Sequence, residues 1–225
     1  MNILEEALKR GEKTLSEHDS KLFLAEYGIP VTKEQVAVDE DEAAKIAGEM
    51  GYPVVLKGSG SELAHKTEMN LIALDLRTEQ EVRDAFKRLT GHSETPVKEV
   101  LVQQMVKGDR ELVAGLTRDP QFGPCVMFGL GGIFTEVLED VSFRVAPLSR
   151  WDAHDMMEDI RAKKILNAFR GKPAVDREKL ADILVAIGKI GLDFDSVKEI
   201  DINPLKVLDG MPVAVDALVV LDDGK

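Results

Sequence analysis

The residues best suited to chemistry lie near the C-terminal end of the chain. Val197-Lys198-Glu199-Ile200-Asp201-Ile202-Asn203 alternates strictly, so an extended strand here turns Ile200 and Ile202 to one side and Glu199, Asp201 and Asn203 to the other. Asp209-Gly210 is a strong two-residue hairpin signal, because that turn needs positive φ at both central positions. Such a turn sets Leu208 against Met211. The same register sets Asn203 opposite Asp216, in the closer, non-hydrogen-bonded kind of pair with Cβ atoms roughly 4.5–5.5 Å apart. An amide oxygen beside a carboxylate, with Asp201 and Glu199 next to them, makes an oxygen set suited to Mg²⁺, which combines one or two carboxylates with water and substrate phosphate. A solvated polar face on an edge hairpin has the same pattern. Pro204 falls where a ladder donor is needed, so the register is expected to be disturbed there.

Other residues fit phosphate chemistry. Lys57 ends the apolar run Pro53-Val54-Val55-Leu56, so its ammonium is expected to emerge at the end of a strand, either as a point charge for phosphate or as a snorkelling surface lysine. His65, in His65-Lys66-Thr67, falls on the loop before the next strand; histidine there can carry a phosphoryl group or a proton, or simply be exposed. Phe128-Gly129-Leu130-Gly131-Gly132-Ile133 follows an apolar strand, and its glycines let backbone N–H groups approach an anion. It lacks the Gly-Lys-Ser/Thr ending of a P-loop, and a tight hairpin turn accounts for it equally well. His18, His92 and His154 read as surface residues, and Cys125, the only cysteine, as a small buried hydrophobe.

These residues need a scaffold, and the periodicities supply one. Two helical patterns occupy residues 2–27, the second capped by Ser20 and stopped at Gly28 before Pro30. A strand over 31–38, a helix over 41–50, strands over 53–57 and 71–76 and a helix over 79–89 follow. The loop at 91–96 is the best internal boundary. Beyond it come strands at 99–105, 111–117, 124–128 and 135–138, helices near 152–168 and 176–191, and the hairpin at 197–220. The expected class is α+β, with one subdomain over 1–97, a second over 98–225 and a cleft between them.

The bulk numbers narrow the partners. Of 225 residues 44% are hydrophobic and 31% charged, the balance of an ordinary globular chain. A net charge of −12 argues against sequence-blind nucleic-acid binding and against adhesion to anionic lipid. The N-terminus has no apolar signal core and no long hydrophobic span follows, which points to a cytoplasmic protein away from membranes.

Several segments together resemble one family. Arg118-Asp119-Pro120-Gln121-Phe122-Gly123-Pro124, the glycine loop, Phe143-Arg144-Val145-Ala146-Pro147-Leu148 and Glu199-Ile200-Asp201-Ile202-Asn203-Pro204-Leu205 are similar to the β subunit of ADP-forming acetyl-CoA synthetase, a relative of the succinyl-CoA synthetase β subunit. The resemblance spans nearly the whole chain. It implies an ATP-grasp fold holding ATP or ADP with Mg²⁺ between two α+β subdomains. It also implies that Lys57 contacts phosphates, that Gln103, Val106 and Glu111 lie around adenine and ribose, and that Gly131 and Gly132 join the nucleotide set. Asn203 and Asp216 match magnesium ligands, Asp201 an acidic residue near the phosphohistidine, and His65 the histidine that relays phosphate to ADP.

The implied reaction is acyl-CoA + ADP + phosphate ⇌ acid + CoA + ATP. A CoA-binding α subunit carrying its own phosphohistidine would be the hetero-oligomeric partner and would handle the acid or acyl phosphate. The sequence departs from the family pattern after His65-Lys66-Thr67: where two glycines are usual it has Asn70-Leu71, whose side chains could crowd a phosphate. That departure leaves an impaired, ADP/ATP-binding regulatory or scaffold subunit as the alternative. A ligase forming an amide bond is the third reading, which the segments over 118–148 disfavour.

Overall fold

The computed structural model describes residues 3–60, 71–91, 97–108, 110–132 and 139–222. The chain forms two compact units, one of Ser16–His18 and Thr32–Val106, the other of Met1–Leu15, Asp19–Val31 and Lys107–Lys225. Two helices, α1 (Ile3–Lys9) and α2 (Glu17–Glu26), lead the chain.

The smaller unit is a four-stranded antiparallel sheet backed by two helices. Its elements run β1 (Glu34–Ala37), α3 (Glu40–Met50), β2 (Val54–Ser59), β3 (Ile72–Leu76), α4 (Glu79–Thr90) and β4 (Glu99–Gln104), with strand order β1-β4-β2-β3. Local chemistry sets the helix ends. Asp39 accepts from the Glu42 amide at 2.8 Å to begin α3, Gly51 at φ 88° stops it, and Thr78 and Glu81 form a capping box at the start of α4. Helix α4 buries Val82, Ala85, Phe86 and Leu89, which share one face by their spacing. They pack with Ala37, Val54, Leu56, Val100 and Val102 from one face of the sheet.

The larger unit holds the antiparallel sheet β10-β8-β5-β6-β7, with β9 also paired to β8. Its strands are β5 (Glu111–Asp119), β6 (Gly123–Leu130), β7 (Val141–Val145), β8 (Val197–Leu208), β9 (Met211–Ala214) and β10 (Leu218–Leu221). Helices α5 (Arg150–Asp159) and α6 (Arg177–Asp193) cover one face. Leu112, Leu116, Val126, Phe128, Ile200 and Ile202 from the sheet join Leu180, Leu184 and Ile187 in one core.

The two units interleave in sequence, which corrects the single division at 97/98. Leu4, Ala7, Leu15, Phe23, Leu24 and Ile29 pack into the core of the larger unit, and β4 is hydrogen-bonded between β1 and β2 in the smaller one. The helix expected over 152–168 is also shorter. Ile160 turns extended, at φ −66° and ψ 136°, and the buried carboxylate of Asp140 accepts from the Arg161 and Ala162 amides at 2.7 and 2.8 Å, so the chain leaves α5 for a 3₁₀ turn over Lys163–Leu166. Cys125 is half-buried rather than buried. The strand expected over 135–138 lies outside the described residues, and β7 was not foreseen. Among the described residues no helix is long and apolar enough to cross a membrane.

Arg118 joins the sheet to the end of α6. Its guanidinium donates to the carbonyls of Val197, Gly191 and Phe194 at 2.7, 2.8 and 2.6 Å, satisfying acceptors that the helix end would otherwise leave open. Arg118→Ala is expected to cost about 3 kcal/mol in urea denaturation, and Arg118→Lys to recover less than half, because an ammonium cannot span the same fork.

Candidate functional site

The hairpin turns where the dipeptide requires, with Asp209 at φ 49° and Gly210 at φ 88°. Leu208 pairs with Met211, and the register holds to Leu205↔Ala214. The ladder then breaks and resumes, in the same register, at Asp201↔Leu218. Asn203 and Asp216 occupy facing positions inside the break, next to the Val215 amide, which donates to the Pro204 carbonyl at 3.1 Å. Against β5 on its other side, β8 carries one extra residue between Ile202 and Leu205, a bulge that re-aims the side chains around Asn203. Ile200 and Ile202 enter the core as expected. Glu199, Asp201 and Asn203 line a groove of about 260 Å³ on the open face, with Thr117, Met127 and Phe143 beside them.

Burial, with the neighbouring Glu199 and Asp216 carboxylates, raises the Asp201 carboxyl to about 6. This concentration of negative charge suits a cation, which would draw that value back down. Among the described residues no group of three or more His, Cys, Asp and Glu side chains is arranged to hold a metal. Asn203 with Asp216 therefore fits a magnesium that takes most of its ligands from water and phosphate, and does not fit an all-protein cage.

The glycine loop supports Asn203. The Gly131 amide donates to the Glu111 carbonyl at 2.9 Å, and the Gly132 amide to Asn203 Oδ1 at 3.2 Å. These two N–H groups are thus engaged within the protein. The glycines are required by packing: a Cβ on Gly131 would stand 2.4 Å from the Leu112 carbonyl oxygen, and Gly132 has φ +66°. Glu111 also pairs with Lys206 at 2.9 Å across the β5–β8 ladder.

In the smaller unit the face of the sheet away from its helices carries Val55, Lys57, Leu101, Gln103 and Glu34, by strand alternation and register. Lys57 corrects the expectation of an emerging ammonium. Strand β2 runs on to Ser59, Lys57 is only 5% exposed between Ile72 and Leu101, and its Nζ lies 2.6 Å from Glu17 Oε1. Gln103 is buried and donates to Thr32 Oγ1 at 2.9 Å. Thr32 in turn donates to Glu34, which also meets His18 Nδ1 at 3.2 Å. His18 is therefore part of a polar network and not a plain surface residue, whereas His154 lies at the surface against Glu178. Val106 is buried.

The structure thus gathers Asp201, Asn203, Asp216, Gly131, Gly132 and Glu111 in the larger unit, and Lys57, Gln103 and Val106 in the smaller. His65 and His92 lie outside the described residues. Sequence reasoning missed Glu17, Thr32, Glu34 and Lys206. Only Lys206 lies within an element already read from the sequence for its chemistry, the hairpin over 197–220. Leu71 at one of the missing glycine positions has its side chain fully in the core, and its carbonyl accepts from Gly58, so it does not crowd a phosphate.

The sequence profile of the ATP-grasp domain matches residues 6–221, which defines the fold of the two α+β units. The chain is 42% identical over 224 residues to the β subunit of acetate–CoA ligase (ADP-forming) I from Pyrococcus furiosus, covering 97% of this chain and 96% of that one. Among solved structures it matches the Ca. Korarchaeum cryptofilum dinucleotide forming acetyl-coenzyme A synthetase 1 in complex with coenzyme A, Ca-AMPCP and HgCl+, with TM-score 0.93, 41% identity and 98% of each chain covered. A second structure of that protein, with coenzyme A and Mg-AMPPCP and its phosphohistidine segment pointing towards the nucleotide binding site, matches at TM-score 0.86 and 42% identity over 98% of each chain. The chain belongs to the family of ADP-forming acetate–CoA ligase β subunits, within the ATP-grasp proteins.

Because the Gly131 contact is with backbone, Gly131→Ala has to displace β5 or the loop. It is expected to cost about 2–3 kcal/mol in chemical denaturation, while Gly123→Ala, where a Cβ meets nothing within 4 Å but φ is +77°, should cost about 1 kcal/mol.

Proposed function

We propose that this chain is the nucleotide-binding subunit of an ADP-forming acyl-CoA synthetase, an acid–thiol ligase, and that it passes a phosphoryl group through His65 to ADP, with acid and CoA released by the complete enzyme. The observation that carries this reading is the match, over 98% of each chain, to a solved relative holding Mg-AMPPCP with a phosphohistidine segment turned to the nucleotide. In this reading Lys57 neutralises phosphate oxygens, Gln103, Val106 and Glu111 receive adenine and ribose, and Asp201 stands beside the histidine that arrives. Gly131 and Gly132 act by holding Asn203 and Glu111. Asn203 and Asp216 would hold Mg²⁺, which would spread the charge of the phosphate oxygens. The partner is a CoA-binding subunit with its own phosphohistidine, in a cytoplasmic hetero-oligomer.

Phosphoryl transfer needs little covalent work from a protein; positioning and neutralised charge supply most of the acceleration. That requirement suits a lysine fixed on a strand of the smaller unit and oxygen ligands on the hairpin of the larger one. The alternative, a binding subunit that has lost transfer, rested on Asn70-Leu71, and the burial of Leu71 removes half of its basis.

Calorimetry of ADP binding to the full chain tests the metal site. Binding is expected to be tightened by Mg²⁺ in the wild type, and Asp216→Ala to lose at least about tenfold in affinity with Mg²⁺ and little without it. Equal losses in both conditions would remove Asp216 from the metal site. For the relay, ATP formation from acyl-CoA, ADP and phosphate with the partner subunit should vanish in His65→Ala, and 32P should be retained on the wild-type chain. A wild-type chain that binds Mg-ADP yet never takes up label would select the scaffold reading.

A further inference from the structure

Lys57 is an ammonium placed inside a sheet, and burial of a lone ammonium is costly enough that such lysines commonly give up their proton. Its strand neighbours Ile72 and Leu101 are apolar. The carboxylate of Glu17, itself 6% exposed, lies beside it, with Oε1 at 2.6 Å from Nζ. Elsewhere on that face Glu34 is engaged with His18 and Thr32, and Glu99 stands at the outer end of β4. Glu17 has no part in the reaction as described above, yet a buried carboxylate is retained at a cost comparable to that of the lysine.

We infer that Glu17 is a positioning residue for Lys57: its carboxylate keeps the ammonium charged and aimed along the sheet face, so that the lysine meets phosphate already protonated. The inference rests on the reading that Lys57 contacts nucleotide phosphates. A neutral amine offers phosphate one weak donor in place of a charge, so the contribution of Lys57 depends on its proton being held in the empty site. Without Glu17, nucleotide binding has to bring a proton with it, and affinity falls as pH rises past the value of the free lysine. With Glu17 that value stays high and affinity does not follow pH. A carboxylate serving only to fill space would, when replaced, weaken binding equally at every pH.

The test is Mg-ADP calorimetry on the full chain from about pH 7 to about pH 9.5, a range above the ordinary titration of histidine and carboxylates. Wild type, Glu17→Gln and Lys57→Met are compared. The ratio of Kd between Glu17→Gln and wild type is expected to rise at least about tenfold across the range, with proton uptake seen as a buffer-dependent binding enthalpy. Lys57→Met should be weak throughout with a constant ratio. A constant ratio for Glu17→Gln alongside a weak Lys57→Met overturns the inference and leaves the phosphate role of Lys57 standing. Wild-type affinity in Lys57→Met overturns that role and the inference with it. Should Glu17→Gln fail to fold, 15N NMR of the Lys57 ammonium in the wild type decides: protonation retained to about pH 10 is expected, and titration below about pH 8.5 overturns the proposal.

Discussion

Every second residue of a half-buried strand is committed to the core, so a strand can offer a cluster of oxygen ligands only by changing which parity faces inward. In β8 the change falls at Asn203-Pro204. Before it Ile200 and Ile202 are buried; after it Leu205 and Val207 are. The returning chain makes the same change, from Pro212 and Ala214 to Ala217 and Val219. Because both strands shift together, the register is the same on either side of the break. A shift in one strand alone would slip the pairing by one residue and turn a row of core side chains to solvent. The continuity of the core beneath the site, and the facing of Asn203 with Asp216 above it, follow from this single matched offset.

The charges of the chain are handled by the same economy of placement. Buried ionic groups are tied to partners whose geometry is specific: Lys57 to Glu17, Arg110 to the carbonyls of Ile165, Asn167 and Pro173, and Asp140 to two amides. Each fixes backbone that the apolar core alone would leave free to slide. Asp201 differs, because burial and two nearby carboxylates raise it to about 6. A carboxyl in that condition favours whatever positive group approaches it, so this electrostatically unfavourable spot coincides with the groove.

What the sequence disclosed was local. The turn at Asp209-Gly210 dictated positive φ, the turn dictated register, and register carried as far as the facing of Asn203 and Asp216. The stop of α3 at Gly51 and the amphipathic face of α4 were legible for the same reason. Lys57 was misread because a short apolar run does not tell a strand buried on one face from a strand buried on both, and its counter-ion lies 40 residues away. The glycine loop was ambiguous between anion cradle and tight turn, and the close approach of the Leu112 carbonyl to Gly131 is a packing demand that neither reading contained. The division into units was not legible either. Whether α1 and α2 join the nearer or the farther core is decided by which apolar surface needs covering, and that is a property of the assembled sheet.

A phosphoryl group can be passed with little chemical help if its oxygens meet charges that do not have to move. Strands suit that demand better than loops, since a side chain on a paired strand inherits the stiffness of its ladder. Lys57, Gln103, Glu111, Asp201 and Asn203 all lie on paired strands, and Asp216 sits between two strands that share one register. Stiffness alone would fail if the charge itself could vary, because a lysine that loses its proton in the empty site is rigidly placed and electrostatically absent. A fixed ammonium therefore needs a fixed counter-charge, and in this fold Glu17, the first residue of α2, is set where it can provide one.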